Sequence, residues 1–137
     1  MDQQASAQGK RTSDASIAVV RQAMDAFNSA DPQAAAALMA DDVEWHEIGR
    51  ADAIVGKQGL AARFGTGLPK WEISVDVHDI VANDDHAISL LTATARMGGR
   101  SLTYRTAEIY HIRDGKISAR WAFSDDTAAI TAFFAGS

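Results

Sequence analysis

The second half of the chain carries the feature that most limits its fold, a long run of alternating apolar and polar residues cut by sharp turns. Trp71, Ile73, Val75 and Val77 alternate with Glu72, Ser74, Asp76 and His78. Strand side chains point to opposite faces in turn, so this pattern predicts a strand with one face buried. Asn83-Asp84-Asp85 then turns the chain. His86 to Met97 follows as a second strand rich in Ile, Leu and Thr, and Arg100 to Ile112 as a third. Gly98-Gly99 and Asp114-Gly115 lie between these runs, and both dipeptides suit two-residue hairpin turns, which need positive φ. Ile117, Ala119, Trp121 and Phe123 alternate along the last strand. Parallel neighbours would need long crossovers, so strands joined this tightly must pair as an antiparallel meander.

The first half reads mainly as helix. Asp14 is a plausible N-cap, and Ile17, Val20, Met24 and Phe27 recur at helical spacing to form one apolar stripe. Asp31-Pro32 restarts a helix, with Asp31 as cap and Pro32 at the first helical position. Asp41-Asp42 breaks it, and Val43 to Ile48 reads as a short strand. Gly56 to Phe64 is a further short helix, and Gly65 to Pro69 a loop without the Lys of a phosphate-binding loop. Asp125 or Asp126 caps a closing helix with Ile130, Phe133 and Phe134. The order predicts an α+β fold: a curved antiparallel sheet forming a cone, with the N-terminal helices packed on its concave face. Residues 1–13 read as a disordered lead-in, and 14–137 as a single domain.

Charge narrows the function classes. The formal net charge is -5 over 137 residues, and no basic stripe is present, which argues against a nucleic-acid partner. No apolar run is long enough to span a bilayer. The polar N-terminus lacks the apolar centre of a signal peptide, so the expectation is a soluble cytoplasmic protein without a membrane partner. There is no cysteine, which excludes thiolate chemistry and disulfides. His46, His78, His86 and His111 show no ligand spacing, so no metal site and no cofactor are expected.

Two carboxylates stand out. Strand alternation puts Val43, Trp45 and Glu47 on one face, and Leu102, Tyr104, Thr106, Glu108, Tyr110 and Ile112 on another. Each face holds a single acid among mostly apolar residues, and a buried charge is costly unless it is paired or protonated. A structural ion pair with an arginine is the alternative, Arg50, Arg63 or Arg120 for Glu47 and one across the sheet for Glu108. In a shared dry pocket, desolvation and repulsion would let one carboxyl keep its proton while the other takes one. Trp45, Tyr110, Trp121, Phe27 and Phe64 are the candidate substrate contacts. By the same alternation, Arg105, His111 and Arg120 fall on the outer face of the sheet.

Phe27-Asn28-Ser29-Ala30-Asp31, Leu38-Met39-Ala40-Asp41-Asp42-Val43 and Asp114-Gly115-Lys116-Ile117 resemble stretches of the nuclear transport factor 2-like superfamily, over about residues 15–135. That superfamily holds steroid Δ-isomerases, SnoaL-like polyketide cyclases and limonene epoxide hydrolase. The hydrolase triad would fall on Ser89, Leu91 and Ala122, none of which fits. The cyclase acid would fall on Ala122, after Arg120-Trp121. The isomerase base falls on Glu47 and its oxyanion acid on Glu108, whereas its helix tyrosine is replaced by Ala23. The resemblance thus implies a cofactor-independent isomerase or lyase that abstracts a proton next to the carbonyl of a small apolar substrate, with Glu47 as base and Glu108 as acid. Alternatives are a ligand-binding or dimerisation protein of the same fold, and a polyketide cyclase-like enzyme. The resemblance also implies a homodimer through the outer sheet face.

Overall fold

The computed structural model describes residues 2–29, 31–64 and 72–135, with side chains before Ser13 and that of Phe64 outside the description. Helix α1 spans Asp2–Asn28. It begins well before the expected cap Asp14, so the backbone of the stretch read as a disordered lead-in is helical. Gln3, Gln4, Ala5, Gln8, Lys10 and Arg11 all favour that state. Its inward stripe holds Val20, Ala23 and Met24, all buried, whereas Phe27 near its end is exposed. The loop Gly65 to Pro69 and Trp71, and the side chain of Phe64, lie outside the described residues.

Helix α2 (Pro32–Ala37) starts as its sequence requires, with the Asp31 carboxylate accepting from Ala34 N–H at 3.1 Å. Strand β1 (Met39–Trp45) follows at once. It starts at Met39, earlier than alternation suggested, because Met39 and Ala40 bury side chains in the core. It also ends at Trp45, so Glu47 lies in the turn after the strand, where Arg50 N–H bonds Glu47 O at 3.2 Å. Strand β2 (Ile54–Val55) and helix α3 (Gly56–Phe64) precede four long strands. These are β3 (Glu72–Ala82), β4 (His86–Met97), β5 (Arg100–Arg113) and β6 (Lys116–Ser124). Helix α4 (Thr127–Ala135) closes the fold, capped by Asp126, which accepts from Ala129 N–H at 3.0 Å.

The strands form one curved, open sheet in the order β2-β1-β6-β5-β4-β3. All neighbours are antiparallel except β1 and β6, which run parallel. Both hairpin dipeptides adopt positive φ throughout: Gly98 55° and Gly99 81°, Asp114 53° and Gly115 74°. The core lies between the concave face and α1, where Val20, Val43, Leu91, Tyr110 and Ile117 are buried. Complete burial of an aliphatic side chain of this size stabilises by about 1.5–3 kcal/mol.

Register fixes which side chains enter the cone. Ala87, Ser89, Leu91 and Ala93 of β4 face Tyr110, Glu108, Thr106 and Tyr104 of β5. On β6 the register shifts between His111 and Ile112, leaving Ser118 as an extra residue. A bulge of this kind exchanges the two faces of a strand beyond it. Ile117 points inward on one side of the bulge. Beyond it Arg120 and Ala122, opposite Tyr110 and Glu108, are the inward residues. This corrects two expectations: Arg120 belongs to the concave face, and Trp121, opposite Ile109, to the outer one.

Candidate active site

Glu108 sits on the concave face with 7% of its surface exposed. Its carboxylate accepts three hydrogen bonds. The Tyr110 hydroxyl donates to Oε1 at 2.6 Å, Arg120 Nη2 to Oε2 at 2.9 Å, and the Thr106 hydroxyl to Oε2 at 3.4 Å. With donors on both oxygens, the carboxyl acts purely as an acceptor. It therefore does not fill the expected role of a protonated acid donating to a substrate oxygen. An arginine across the sheet neutralises it instead.

Arg120 connects this carboxylate to the end of β1. Its Nη1 donates to the His46 carbonyl at 2.9 Å, and its guanidinium lies 4.5 Å from the centre of the Trp45 ring. Trp45 is thus a wall of the site, stacked on a cation. Burial alone would lower the Arg120 pKa, but the Glu108 charge and then Tyr110 outweigh it and hold the guanidinium above its ordinary value. Burial, then the Glu108 charge, pushes the fully buried Tyr110 phenol well above the usual tyrosine value. The same two causes raise the Tyr104 phenol, and Arg120 partly offsets them.

Three polar groups close to this network are not fully engaged. Ser89 Oγ and Arg120 Nε are buried and lack a hydrogen-bond partner. The Ser89 hydroxyl does lie near enough to the Tyr110 phenol to pull its pKa down a little, though the two share no well-formed hydrogen bond. Tyr104, 9% exposed, has no hydrogen bond from its hydroxyl among the described residues. Buried polar groups are nearly always paired, so Ser89 Oγ and Arg120 Nε call for an explanation, whereas the Tyr104 hydroxyl is not among the buried unpaired atoms.

Glu47 is held elsewhere. Arg63 of α3 grips it with Nε at 2.9 Å and Nη2 at 3.3 Å, and Arg50 approaches to 3.7 Å. The Glu47 side chain is 19% exposed, against 10% for Glu108. The two carboxylates thus bind different guanidiniums, while Arg120 reaches the residue next to Glu47 through the His46 carbonyl. Among the other sequence candidates, Tyr110 belongs to the network, and Phe27 is exposed at the end of α1. Trp121 stacks on His46 at 5.0 Å and meets His111 at 4.8 Å on the outer face.

Sequence reasoning missed Arg120, Ser89 and Tyr104. Tyr104 carried a usable signal, since it shares the parity of Glu108. Among the described residues no group of three or more His, Asp or Glu is arranged to hold a metal ion, and no helix is long and apolar enough to cross a membrane.

A family model of the SnoaL-like domain matches residues 20–120, and the chain belongs to that family. A search of curated proteins returned no match. Solved structures share the fold at low identity. An LEH-like epoxide hydrolase from M. tuberculosis superposes with a TM-score of 0.76 at 17% identity, covering 91% of this chain and 98% of that one. Bal32a from a soil-derived mobile gene cassette gives 0.78 at 24% identity, with 89% and 98% covered. A Delta 5-3-ketosteroid isomerase from Mycobacterium sp. gives 0.69 at 22% identity, with 80% and 92% covered. One fold thus carries several chemistries, and identities this low speak for the fold alone.

Proposed function

We propose that this protein is a cofactor-independent enzyme of the isomerase or lyase type that removes a proton next to the carbonyl of a small apolar compound. The observation that carries this reading is the buried Glu108 carboxylate, set in an apolar cone against Arg120, Tyr110 and Thr106. Glu108 takes the proton from the α-carbon and becomes neutral. The negative charge passes to the substrate oxygen, and Arg120, released from its ion pair, faces the new anion. The charge of the dry site is the same before and after, which limits the reorganisation the step requires. Glu47 is the second acid/base group of the reading. The cyclase-like alternative has less support, because Ala122 stands where its acid would be.

Proton exchange tests the proposal. In D2O, 1-tetralone should lose its C2 protons faster with the protein present. A positioned base contributes roughly 10²–10⁴ in rate, so Glu108→Gln should lower exchange by about that factor, and Glu47→Gln by less. Unchanged exchange in Glu108→Gln would sink the reading. A non-catalytic binding protein is favoured by one observation, that arginines neutralise both carboxylates. It predicts binding of the ketone with no exchange in any variant.

The same reading includes a homodimer through the outer sheet face. Leu90 and Phe123 support it, as large apolar side chains 43% and 59% exposed there. Light scattering should give twice the chain mass for the native protein and the chain mass for Phe123→Asp; a native monomer would refute it.

A further inference from the structure

We propose that Ser89 is a positioning residue of the cone: its buried oxygen is the acceptor to which Tyr110 turns its hydroxyl hydrogen when Glu108 takes up a proton. Its part in catalysis rests on the acid/base reading. The turn itself needs only that Glu108 be protonated in the folded chain.

Ser89 of β4 lies opposite Glu108 of β5, and Tyr110 is the next residue of that strand to face the cone. Ser89 is completely buried, and its Oγ lacks a hydrogen-bond partner among the described residues. Sealing an unpaired hydroxyl is costly, so a second state of the site that employs it gives a reason for its presence. The Tyr110 hydroxyl donates to Glu108 Oε1 at 2.6 Å, and the Met24 sulfur of α1 lies 4.0 Å from it. The Glu108 and Arg120 charges and the Ser89 hydroxyl also act on this phenol, from β5, β6 and β4. Of these neighbours only Glu108 and Arg120 are ionisable, and Arg120 is held in its charged form.

Protonation reverses the bond between Glu108 and Tyr110. Oε2 already accepts from Arg120 and Thr106, whereas Oε1 accepts from Tyr110 alone. A carboxylate oxygen has two lone pairs, so the open one, which takes the proton, is on Oε1. A carboxylic acid ionises near pH 4 and a phenol near pH 10, roughly, so the acid is the stronger donor. One hydrogen fits between two oxygens 2.6 Å apart, and it becomes the acid's. Tyr110 then accepts, and its own hydrogen turns about the C–O bond without any O–H bond breaking. The Met24 thioether is a weak acceptor, so the Ser89 oxygen receives it. In the reaction, the α C–H bond of the substrate breaks, its proton bonds to Oε1, and the electron pair stays with the substrate as an enolate. Ser89 thus favours the neutral Glu108 that this step creates.

Acid titration of protein labelled with ¹³Cδ-glutamate tests this without substrate, the Glu108 resonance being the one lost in Glu108→Gln. Ser89→Ala removes the acceptor, so Glu108 should take its proton about half a pH unit to one unit lower than in the native protein, the worth of one neutral hydrogen bond. Ser89→Cys fills the same space with a poor acceptor and should shift the midpoint equally, which separates hydrogen bonding from packing. In a Tyr110→Phe background neither substitution should move it. With 1-tetralone, Ser89→Ala should lower kcat for C2 exchange about three- to tenfold and leave KM within about twofold. An unmoved or raised midpoint in Ser89→Ala, a native midpoint in Ser89→Cys, or the same shift without the Tyr110 hydroxyl each overturns the proposal. So does acid unfolding of the native protein with Glu108 still ionised, or an unaltered kcat where the native protein does exchange. The expected midpoints with no exchange in any protein count against the acid/base reading alone.

Discussion

Glu108 and Glu47 are both gripped by guanidinium groups, yet their surroundings oppose one another. Glu108 lies inside the cone, with Arg120 almost as buried as itself, and three donors converge on it. Glu47 lies in a turn, and its partners Arg63 and Arg50 are 36% and 59% exposed, against 11% for Arg120. In water two such charges gain little from meeting, because solvent screens them and their long side chains lose freedom. In the interior the same pair is held by necessity, since neither charge can be left alone without a large desolvation penalty. The difference teaches that a carboxylate–arginine contact by itself says little, and that its setting decides what it does.

The sharpest way to break this comparison is to remove the inner cation. Arg120→Ala strands the buried Glu108 and also removes the bond to the His46 carbonyl, so it should lower stability by about 3–5 kcal/mol in urea unfolding. A loss as small as that of a surface pair would mean that Glu108 is reached by water.

An intermediate effect is expected at alkaline pH. Both phenols titrate above the ordinary tyrosine value of 10.0 in the folded chain. Above that value the unfolded chain releases their protons while the folded chain keeps them. Stability should therefore be complete below pH 10 and fall as pH rises from there. Tyr110→Phe should flatten the fall when melting is followed against pH, and an unaltered slope would show that Tyr110 is not sealed.

The smallest effect belongs to the outer pair. Glu47→Gln should change stability by about 1 kcal/mol or less, and the change should shrink in high salt. A cost near that of Arg120→Ala would erase the distinction between the two sites.

Much of this contrast was legible in the sequence, and its failures have one physical origin. Alternation along β5 put Glu108 on the same face as Tyr104, Thr106 and Tyr110, because that strand keeps one parity through this stretch. The paired turns at Gly98-Gly99 and Asp114-Gly115 were equally plain, since few other residues accept positive φ. On β6 the same rule gave the wrong face for Arg120 and Trp121. A single extra residue, Ser118, exchanges the faces beyond it, and nothing about Lys116-Ile117-Ser118-Ala119 marks the bulge. Glu47 was read as a strand residue because its parity suited Val43 and Trp45, but the strand stops at Trp45. Its arginine Arg63 comes from a helix sixteen residues on, which a local pattern does not specify.

The parallel contact of β1 with β6 has a consequence for how the chain comes into being. A ribosome releases Met39–Trp45 long before Lys116–Ser124, and every other neighbouring pair of long strands is adjacent in synthesis. While the chain is still growing, β1 can lean on β2 and α3 but not on its parallel neighbour, and the carbonyl of His46 waits for a guanidinium not yet translated. The inner carboxylate, its arginine and the wall of Trp45 therefore come together only when the last strand is in place.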